Sequence, residues 1–263
     1  MATPEQAPQP EPSLISPGLI AHLLEIRRRL LASVATLFVI FACLFPFQNR
    51  VFELVARPMI QRLPAGSSMI ATGVVSPFMT PMKLTLVVAL FLTVPVFLYH
   101  AWRFISPALY QRERRMFLPL VVSSVVLFYA GVAFAYFVLF PVAFAFLNGA
   151  APAGVKVMTD INAYLDFVLT IFFAFGVAFE VPVAIVLMVW MGFTSPGKLR
   201  KLRPYALLAA FFVGFLLAPP DVVSMTLLAV PIYLLFELGM IMARIMVPGS
   251  REVDAQREAG DNA

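Results

Sequence analysis

Residues 22–47, HLLEIRRRLLASVATLFVIFACLFPF, join a cluster of arginines to a long apolar run that carries no charge. Paired arginines ahead of an apolar run open some export signals, but the same pattern also flanks a first membrane span that inserts with its N-terminus inside. The run contains Phe41, Phe45 and Phe47 instead of the small residues of a cleavage site, and further apolar runs follow it. The stretch therefore predicts the first span of a membrane protein.

The composition of the chain indicates an integral membrane protein. Of its 263 residues, 61% are hydrophobic and 13% are charged, and the mean hydropathy is +0.91. So little polar surface could not coat a soluble particle of this size. The net charge of +5 comes without a basic, aromatic-interleaved polar stretch, so nucleic-acid binding is not expected. The single cysteine, Cys43, excludes a disulfide framework and a cysteine-based metal site.

Six apolar stretches predict an all-α fold with six transmembrane helices, because a helix needs about 20 apolar residues to cross the bilayer. They lie near 30–47, 81–102, 117–140, 165–191, 205–218 and 222–242. Ser16-Pro17 has the pattern of a helix cap followed by proline, so the first helix should begin there. Pro204 and Pro219 bracket the fifth stretch, and a helix between them reaches only about 21 Å. We therefore expect local thinning of the bilayer or a hairpin of short fifth and sixth spans.

A single membrane domain, residues 17–245, is expected between two polar tails, residues 1–16 and 246–263. The first tail is rich in Pro, Gln and Glu, which predicts disorder. Lysines and arginines concentrate in the N-terminal segment, the loops at 103–116 and 192–204, and the C-terminal tail, while the alternate loops hold few. The positive-inside rule then places both termini in the cytoplasm.

Two acids stand among the arginines of the segments predicted to face the cytoplasm. Glu25 precedes Arg28 and Arg29 by three and four residues, so an ordinary salt bridge within the helix is the simplest interpretation. Glu113 is the acid of the next cytoplasmic loop, HAWRFISPALYQRERRMF. Because two cytoplasmic segments repeat the arrangement of one Glu among several Arg, a shared binding role is the second interpretation.

The ordered motifs HLLEIRRRL, SPFMTPMKL, FISPALYQRERR, FAYFVLFPVAF, FGVAFEVPVAI, RPYALLAAF and APPDVVS resemble the TatC family, the polytopic core of the twin-arginine protein translocase. The resemblance covers about residues 17–245 and all six spans. It implies a concave six-helix protein of the bacterial cytoplasmic (inner) membrane that self-associates in a multimeric receptor complex. It also implies TatA-type and TatB-type single-span partners, and export of folded proteins by the proton-motive force without a cofactor.

By this resemblance Glu25, Arg27 and Glu113 match the positions that bind twin-arginine signal peptides. Adjacent arginines point about 100° apart on a helix, so one carboxylate does not easily hold both guanidinium groups, whereas two acids on separate elements can. An arginine can pair bidentately with a carboxylate, which a lysine cannot do. A signal with paired lysines is therefore expected to bind less well.

Four further positions match family motifs that serve transport or shape. Glu180 lies near the middle of the fourth span, where an ionisable side chain is expensive and usually functional. Pro182, two residues later, is expected to disrupt the helix ladder and can bend the span. A protonated Glu180 bonded to a neighbouring helix is the alternative. Asp221 is interpreted equally as a cap of the sixth span. Pro58 and Phe104 match positions that set the shape of the outer and inner loops.

The resemblance places the partner helices at the end of span five and the start of span six. Relatives are expected to carry polar side chains there, whereas this chain offers two apolar residues with two small polar neighbours. The four predicted partner-binding residues are Ala218, Ser224, Met225 and Thr226. Near the inner end of span six, Glu237 is expected to pair with Arg244.

A proton-coupled small-molecule transporter that uses Glu180 as its proton carrier is the alternative function. Such a transporter is expected to show two related halves, and the sequence has no visible internal repeat. The sequence contains no Walker sequence, nucleophile elbow or HExxH motif, so an enzyme is not expected. His22 and His100 lack partners at ligand spacing, so a metal site is not expected either.

Overall fold

The computed structural model describes residues 17–60, 70–105, 117–149, 160–218 and 221–247, and nearly all of them are helical. The elements are α1 (Pro17–Leu44), a 3₁₀ turn (Phe45–Phe47), α2 (Gln48–Ile60), α3 (Ser76–Ile105), α4 (Phe117–Phe134), a π segment (Ala135–Leu139), α5 (Phe140–Gly149), α6 (Ile161–Ala178), α7 (Val181–Trp190), α8 (Pro196–Lys201), α9 (Arg203–Leu217) and α10 (Val222–Met246). The all-helical prediction is confirmed. Residues 1–16 and 248–263 of the two predicted tails lie outside the described ranges.

Within the described residues, five helical segments are long and apolar enough to cross a membrane. They are Leu24–Ala56, Ser76–Arg103, Leu118–Phe146, Ile161–Trp190 and Val222–Met246. The other predicted span corresponds to α9, whose 15 residues reach about 22 Å. The chain is therefore a multi-pass membrane protein with a short fifth span, as the prolines around that span predict.

Helix α10 is longer than the sequence suggested. It runs for 25 residues, from Val222 to Met246, and so it is not the short sixth span that we expected. Pro231 does not end it, since a proline within a membrane helix frees few backbone groups and neighbouring helices can accommodate them. The apolar residues Ala243, Ile245 and Met246 carry the helix past the predicted end at residue 242.

The first span bends at a short 3₁₀ turn that contains Pro46. Helix α1 is described from Pro17 onwards, while Ser16, the residue predicted to cap it, lies outside the described residues. Helix α2 continues the chain after the turn. One face of α2 packs Val51, Phe52 and Val55 against the core, while its opposite face is exposed. Both α1 and α2 pack on α3, one on each side of the turn.

Aromatic side chains join α3, α4 and α6 into the core of the bundle. Phe91 of α3 meets Phe128 and Phe172 edge-on, with ring centroids 5.7 and 6.3 Å apart. Phe134 of α4 stacks on Phe175 of α6 with centroids 5.7 Å apart. Because lipid is as apolar as these side chains, close packing and ring geometry hold the helices together instead of burial from water.

The fourth span is interrupted where α6 ends at Ala178 and α7 begins at Val181. Pro182 has no N–H to donate to the carbonyl four residues earlier, so it disrupts the helix ladder. The backbone N–H of Glu180 instead donates to the carbonyl of Val177 at 3.0 Å, which tightens the turn. The predicted interruption is confirmed, and Glu180 lies within it.

Asp160 joins the segment before α3 to the start of α6. Its carboxylate accepts hydrogen bonds from the backbone N–H groups of Asn162 and Ala163 at 2.9 and 3.0 Å, which caps α6. The hydroxyl of Thr72 donates to the same carboxylate at 2.5 Å. The Thr72 hydroxyl first, and then the backbone donors, lower the pKa of Asp160 to about 2. This junction therefore keeps its charge throughout the physiological pH range.

Helices α9 and α10 are tied together by Glu237. Nη2 of Arg203 donates to one carboxylate oxygen at 2.6 Å, and the hydroxyl of Tyr233 donates to the other at 2.8 Å. The expected pair of Glu237 with Arg244 is wrong, because Arg244 lies about two turns further along α10. The cation that reaches Glu237 comes from the start of the adjacent helix instead.

Gly239 lets α10 approach α7 closely, and this contact generates a prediction. A methyl group at Gly239 would come within 2.8 Å of Cδ1 of Ile185 and 2.9 Å of Cα of Pro182. We expect Gly239→Ala to force the helices apart and to lower the free energy of unfolding by about 1–3 kcal/mol. The measurement is the thermal unfolding temperature of the purified protein in detergent.

Leu238→Ala is the matched control for this substitution, because Leu238 is 45% exposed and faces away from the contact. It should change the unfolding temperature much less. Equal losses in the two variants would show that close approach at Gly239 is not what stabilises the pair of helices.

Candidate functional site

A polar contact joins the middle of α1 to the last turns of α3, and we call it the α1–α3 junction (Glu25, Arg29, Ser33 and His100). Glu25 forms a salt bridge with Arg29 at the i,i+4 spacing. Nη1 of Arg29 also donates to the backbone carbonyl of His100 at 3.4 Å. Arg28, the other predicted partner of Glu25, is exposed. The salt bridge that the spacing of Glu25 predicts is therefore confirmed, and Arg29 is the partner.

Ser33 anchors the α1–α3 junction and is only 1% exposed. Its hydroxyl donates to the backbone carbonyl of Arg29 at 3.1 Å. The same hydroxyl lies 2.9 Å from Nδ1 of His100, within hydrogen-bonding distance. The first bond lies within α1, and the contact with His100 holds α1 against α3 at this turn.

The carboxylate side of the junction faces outward. The side chain of Glu25 is 46% exposed, whereas that of Arg29 is 16% exposed. Arg27 is exposed on the same helix. The exposed apolar side chains around these residues are Leu24, Ile26, Leu30 and Leu31. The surface thus offers a carboxylate beside apolar groups, which suits a ligand that combines a cation with an apolar stretch.

Three of the predicted site residues have no described side chain. Glu113 lies outside the described residues. Pro58 and Phe104 fall within α2 and α3, at positions where only the helix itself is described. Glu25 and Arg27 therefore share one helix, and their partnership with Glu113 stays a prediction.

Glu180 lies at the interruption of the fourth span, beside the polar side chain of Ser124 on α4. Ser124 is completely buried and accepts a hydrogen bond from Nε1 of Trp102 on α3 at 3.0 Å. Oε1 of Glu180 is buried and has no hydrogen-bond partner among the described residues. Ser124 thus faces the carboxyl group without completing a bond to that oxygen, and Glu180 keeps an open acceptor inside the bundle.

Asp221 caps α10, as one of its two interpretations predicts. Its Oδ1 accepts a hydrogen bond from the backbone N–H of Ser224 at 2.7 Å. This bond lowers the pKa of the Asp221 carboxyl, because it favours the charged form. A role of Asp221 in transport stays a prediction.

The four predicted partner-binding residues cluster where α9 passes into α10. Ala218 and Ser224 line a small apolar cavity between these helices and α6. The backbone carbonyl of Met225 lies against Gly214 of α9, where a Cβ atom would approach it to 2.7 Å. The hydroxyl of Thr226 donates to the carbonyl four residues earlier at 2.7 Å. The Thr226 hydroxyl is therefore satisfied within its own helix, and the cavity is mainly apolar.

The sequence interpretation missed Ser33, His100, Ser124 and Trp102 as members of polar contacts. A signal for them exists, because a polar side chain in an apolar helix must find a partner inside the protein. Spacing along the chain does not say which partner that is. Ser33 and His100 are 67 positions apart, and only the crossing of α1 and α3 brings them together.

Comparisons with known proteins agree with one another. The sequence model of the family described as Sec-independent protein translocase protein (TatC) matches residues 21–231. The protein of that name from Escherichia coli strain K12 is 59% identical over 233 residues, which cover 89% of this chain and 90% of the relative. The one from Haemophilus influenzae is 52% identical over 237 residues, which cover 90% and 93%.

A solved crystal structure, described as the twin arginine translocase receptor TatC, is similar to this chain in fold and sequence. The TM-score is 0.77 at 35% identity, and the match covers 85% of this chain and 98% of that chain. The similarity therefore extends over the whole helical bundle and is not confined to single motifs.

The cap at Asp221 predicts an acid-sensitive contribution to stability. Because the folded-state pKa is lowered, the contribution is complete above the unfolded pKa of about 3.9 and is lost as the pH falls through the lowered folded value. Asp221→Asn keeps the capping acceptor without the charge, whereas Asp221→Ala removes both. In detergent, we expect the wild-type unfolding temperature to fall more than that of the Asn variant when the pH drops below about 4.

At pH 7 the Ala variant should be less stable than the Asn variant, since only the latter can still cap α10. The same two variants separate capping from transport. An Asn variant with wild-type stability and no export would assign a second role to the carboxylate, whereas an unchanged acid response in that variant would contradict the charge effect.

Proposed function

This chain belongs to the TatC family of Sec-independent protein translocase proteins, and we propose on that basis that it is the core receptor subunit of a twin-arginine translocase. It binds the signal peptides of folded precursor proteins and, with its partners, exports those proteins by the proton-motive force. The matched crystal structure, described as a twin arginine translocase receptor, supports this function. The observation that carries it is the half-exposed Glu25 carboxylate beside apolar surface at the α1–α3 junction.

The recognition step follows from the chemistry of paired arginines. Glu25 accepts one guanidinium group of the signal, and Glu113 accepts the other from a separate cytoplasmic segment. Arg27 belongs to the same signal-binding surface. Arginines around both acids repel basic segments in general, so only two correctly spaced guanidinium forks compensate for that repulsion. This explains why the site would prefer a twin arginine to an arbitrary basic sequence.

The apolar part of the signal supplies most of the affinity. An exposed ion pair contributes about 1 kcal/mol or less, so two such pairs cannot hold a precursor on their own. Leu24, Ile26 and Leu30 lie exposed on the turns that carry Glu25, where an apolar stretch following the arginines would pass. The carboxylates then determine which signals bind, and the apolar contact determines how long a bound signal stays.

The cellular arrangement follows from family membership and charge. Both termini lie in the cytoplasm, in keeping with the excess of Lys and Arg in the segments on that side. The membrane is the bacterial cytoplasmic (inner) membrane. Single-span partners of the TatA and TatB type dock where α9 passes into α10, beside Ala218, Ser224, Met225 and Thr226. Copies of the chain self-associate in a multimeric receptor complex.

Glu180 serves the transport step. Its open acceptor inside the bundle is unusual for a membrane-embedded carboxyl group, and such groups generally mark a pathway. We assign it to local hydration of the membrane while cargo passes. The alternative of a solute transporter that uses Glu180 as proton carrier has no support from the matched relatives, which are named as protein translocases.

Charge reversal tests the recognition step. The double variant Glu25→Lys with Glu113→Lys should lose crosslinking to a precursor with paired arginines, because both acceptors become donors. Each single Gln variant should weaken binding by about fivefold, the equivalent of one exposed ion pair. The measurement is site-specific photocrosslinking of the precursor to the full-length protein in membranes.

Glu53→Gln is the matched control, since Glu53 is an exposed acid on α2, away from the junction. It should crosslink like the wild type. Undiminished crosslinking in the charge-reversed double variant would remove Glu25 and Glu113 from the signal site.

A Gln substitution tests Glu180. Glu180→Gln keeps the size and the hydrogen-bonding groups but cannot carry a charge. We expect signal binding to stay at the wild-type level while export of a folded, cofactor-bearing precursor in cells falls several-fold. Full export by the Gln variant would show that the charge of Glu180 is dispensable.

A further inference from the structure

Glu25 already holds a guanidinium group before any signal arrives. Nη2 of Arg29 is bonded to Oε1 of Glu25, so one of the two oxygens that a signal arginine would use is occupied. The proposed function requires the ligand to place the same kind of group, a guanidinium, in the same kind of pair with Glu25. Arg29 thus stands where an incoming arginine would bind.

Arg29 is not an ordinary surface arginine in a loose salt bridge. Its side chain is 16% exposed, while that of Glu25 is 46% exposed. Its guanidinium group also reaches the carbonyl of His100 at the end of α3. Ser33 holds the backbone carbonyl of Arg29 and is itself bonded to the ring of His100. The contacts with α3 therefore hold Arg29 in place, and its largely buried side chain reaches the more exposed carboxylate of Glu25.

We propose that Arg29, held by His100 and Ser33, is a specificity-determining residue that makes Glu25 accessible to arginine but poorly accessible to lysine. The inference rests on the proposed role of Glu25 in binding the signal. A ligand must either displace a tethered guanidinium group or share the carboxylate with it. Arg29 therefore acts as an internal competitor that sets the threshold for binding.

The threshold discriminates between the two cations for a geometric reason. A guanidinium group forms two parallel hydrogen bonds to a carboxylate and can replace the contacts that Arg29 gives up. An ammonium group is a point charge that offers no matching fork, so it gains less by the exchange. Because Arg29 is covalently linked four residues away, its effective concentration at Glu25 is high, and only the stronger competitor succeeds.

Binding of two synthetic signal peptides to the full-length protein in nanodiscs tests the proposal. The peptides carry either two consecutive arginines or two consecutive lysines ahead of the same apolar stretch. In Arg29→Gln we expect the preference for the arginine peptide to fall by about fivefold, mainly through tighter binding of the lysine peptide. If Arg29 had a merely structural role, the substitution would weaken the binding of both peptides equally and leave the ratio of their affinities unchanged. That result would overturn the proposal.

Arg28→Gln is the charge-matched control. Arg28 is exposed on the same turn, and its removal changes the net charge by the same amount without opening Oε1 of Glu25. This substitution should strengthen the binding of both peptides alike and leave the preference for the arginine peptide unchanged. A fall in the ratio as large as that of Arg29→Gln would reduce the effect to general repulsion and overturn the proposal.

Two milder variants keep the test decisive if Arg29→Gln does not fold. Arg29→Lys retains the charge but lacks the fork, and Ser33→Ala loosens the anchor while Arg29 remains. Both should lower the ratio to an intermediate value, and a wild-type ratio in both would overturn the proposal. Glu25→Gln in the same assay tests the proposed function separately, since wild-type binding of the arginine peptide there would remove Glu25 from the site altogether.

Discussion

Lipid supplies no hydrogen bonds, so polar side chains inside the bundle must find their partners within the protein. Ser33 meets His100, Trp102 meets Ser124, and Arg203 with Tyr233 satisfies Glu237. Tyr233 and Glu237 both lie on α10, but the other three pairs join residues on different helices, so each of those pairs also fixes how two helices cross. The requirement to satisfy polar groups therefore determines the relative positions of the helices, and with them the surface on which Glu25 stands.

The apolar contacts between these ties depend on shape. Gly239 lets α10 approach the backbone of α7, and Gly131 of α4 lies so close to α6 that a Cβ atom there would collide with the carbonyl oxygen of Phe175. Large aromatic rings fill the remaining space around Phe91 and Phe172. Small residues where helices cross and large residues between the crossings allow close packing. In lipid this packing stabilises the bundle, because burial from water does not drive the association of helices there. Glu180 lies within this packing, and its Oε1 has no hydrogen-bond partner among the described residues.

Local features of the fold could be predicted from the sequence because their causes are local. The interruption before Pro182, the short α9 and the cap at Asp221 each follow from a proline or a carboxylate acting on its own segment. The length of α10 was missed because apolar composition ends less sharply than a proline does.

Contacts between helices could not be predicted in this way. Glu237 was assigned to Arg244 on its own helix, but its partner is Arg203, 34 positions away in the chain. At the candidate site, the pair of Glu25 with Arg29 could be predicted from its i,i+4 spacing, whereas the support from His100 depends on a crossing between distant segments. The repeated arrangement of one Glu among several Arg linked Glu113 to Glu25, and the family resemblance specified signal peptides as the ligand.

The shortness of α9 has a mechanical consequence for assembly. A helix of about 22 Å beside one of about 37 Å, the length of α10, forces a step in the thickness of the surrounding bilayer. Lipid along that step is elastically strained, and the strain grows with the length of the boundary. Another short helix laid against α9 would shorten the boundary and release strain. The deformation of the bilayer can therefore favour the association of a short helix with α9, even though Ala218 and Met225 offer it few groups for hydrogen bonding.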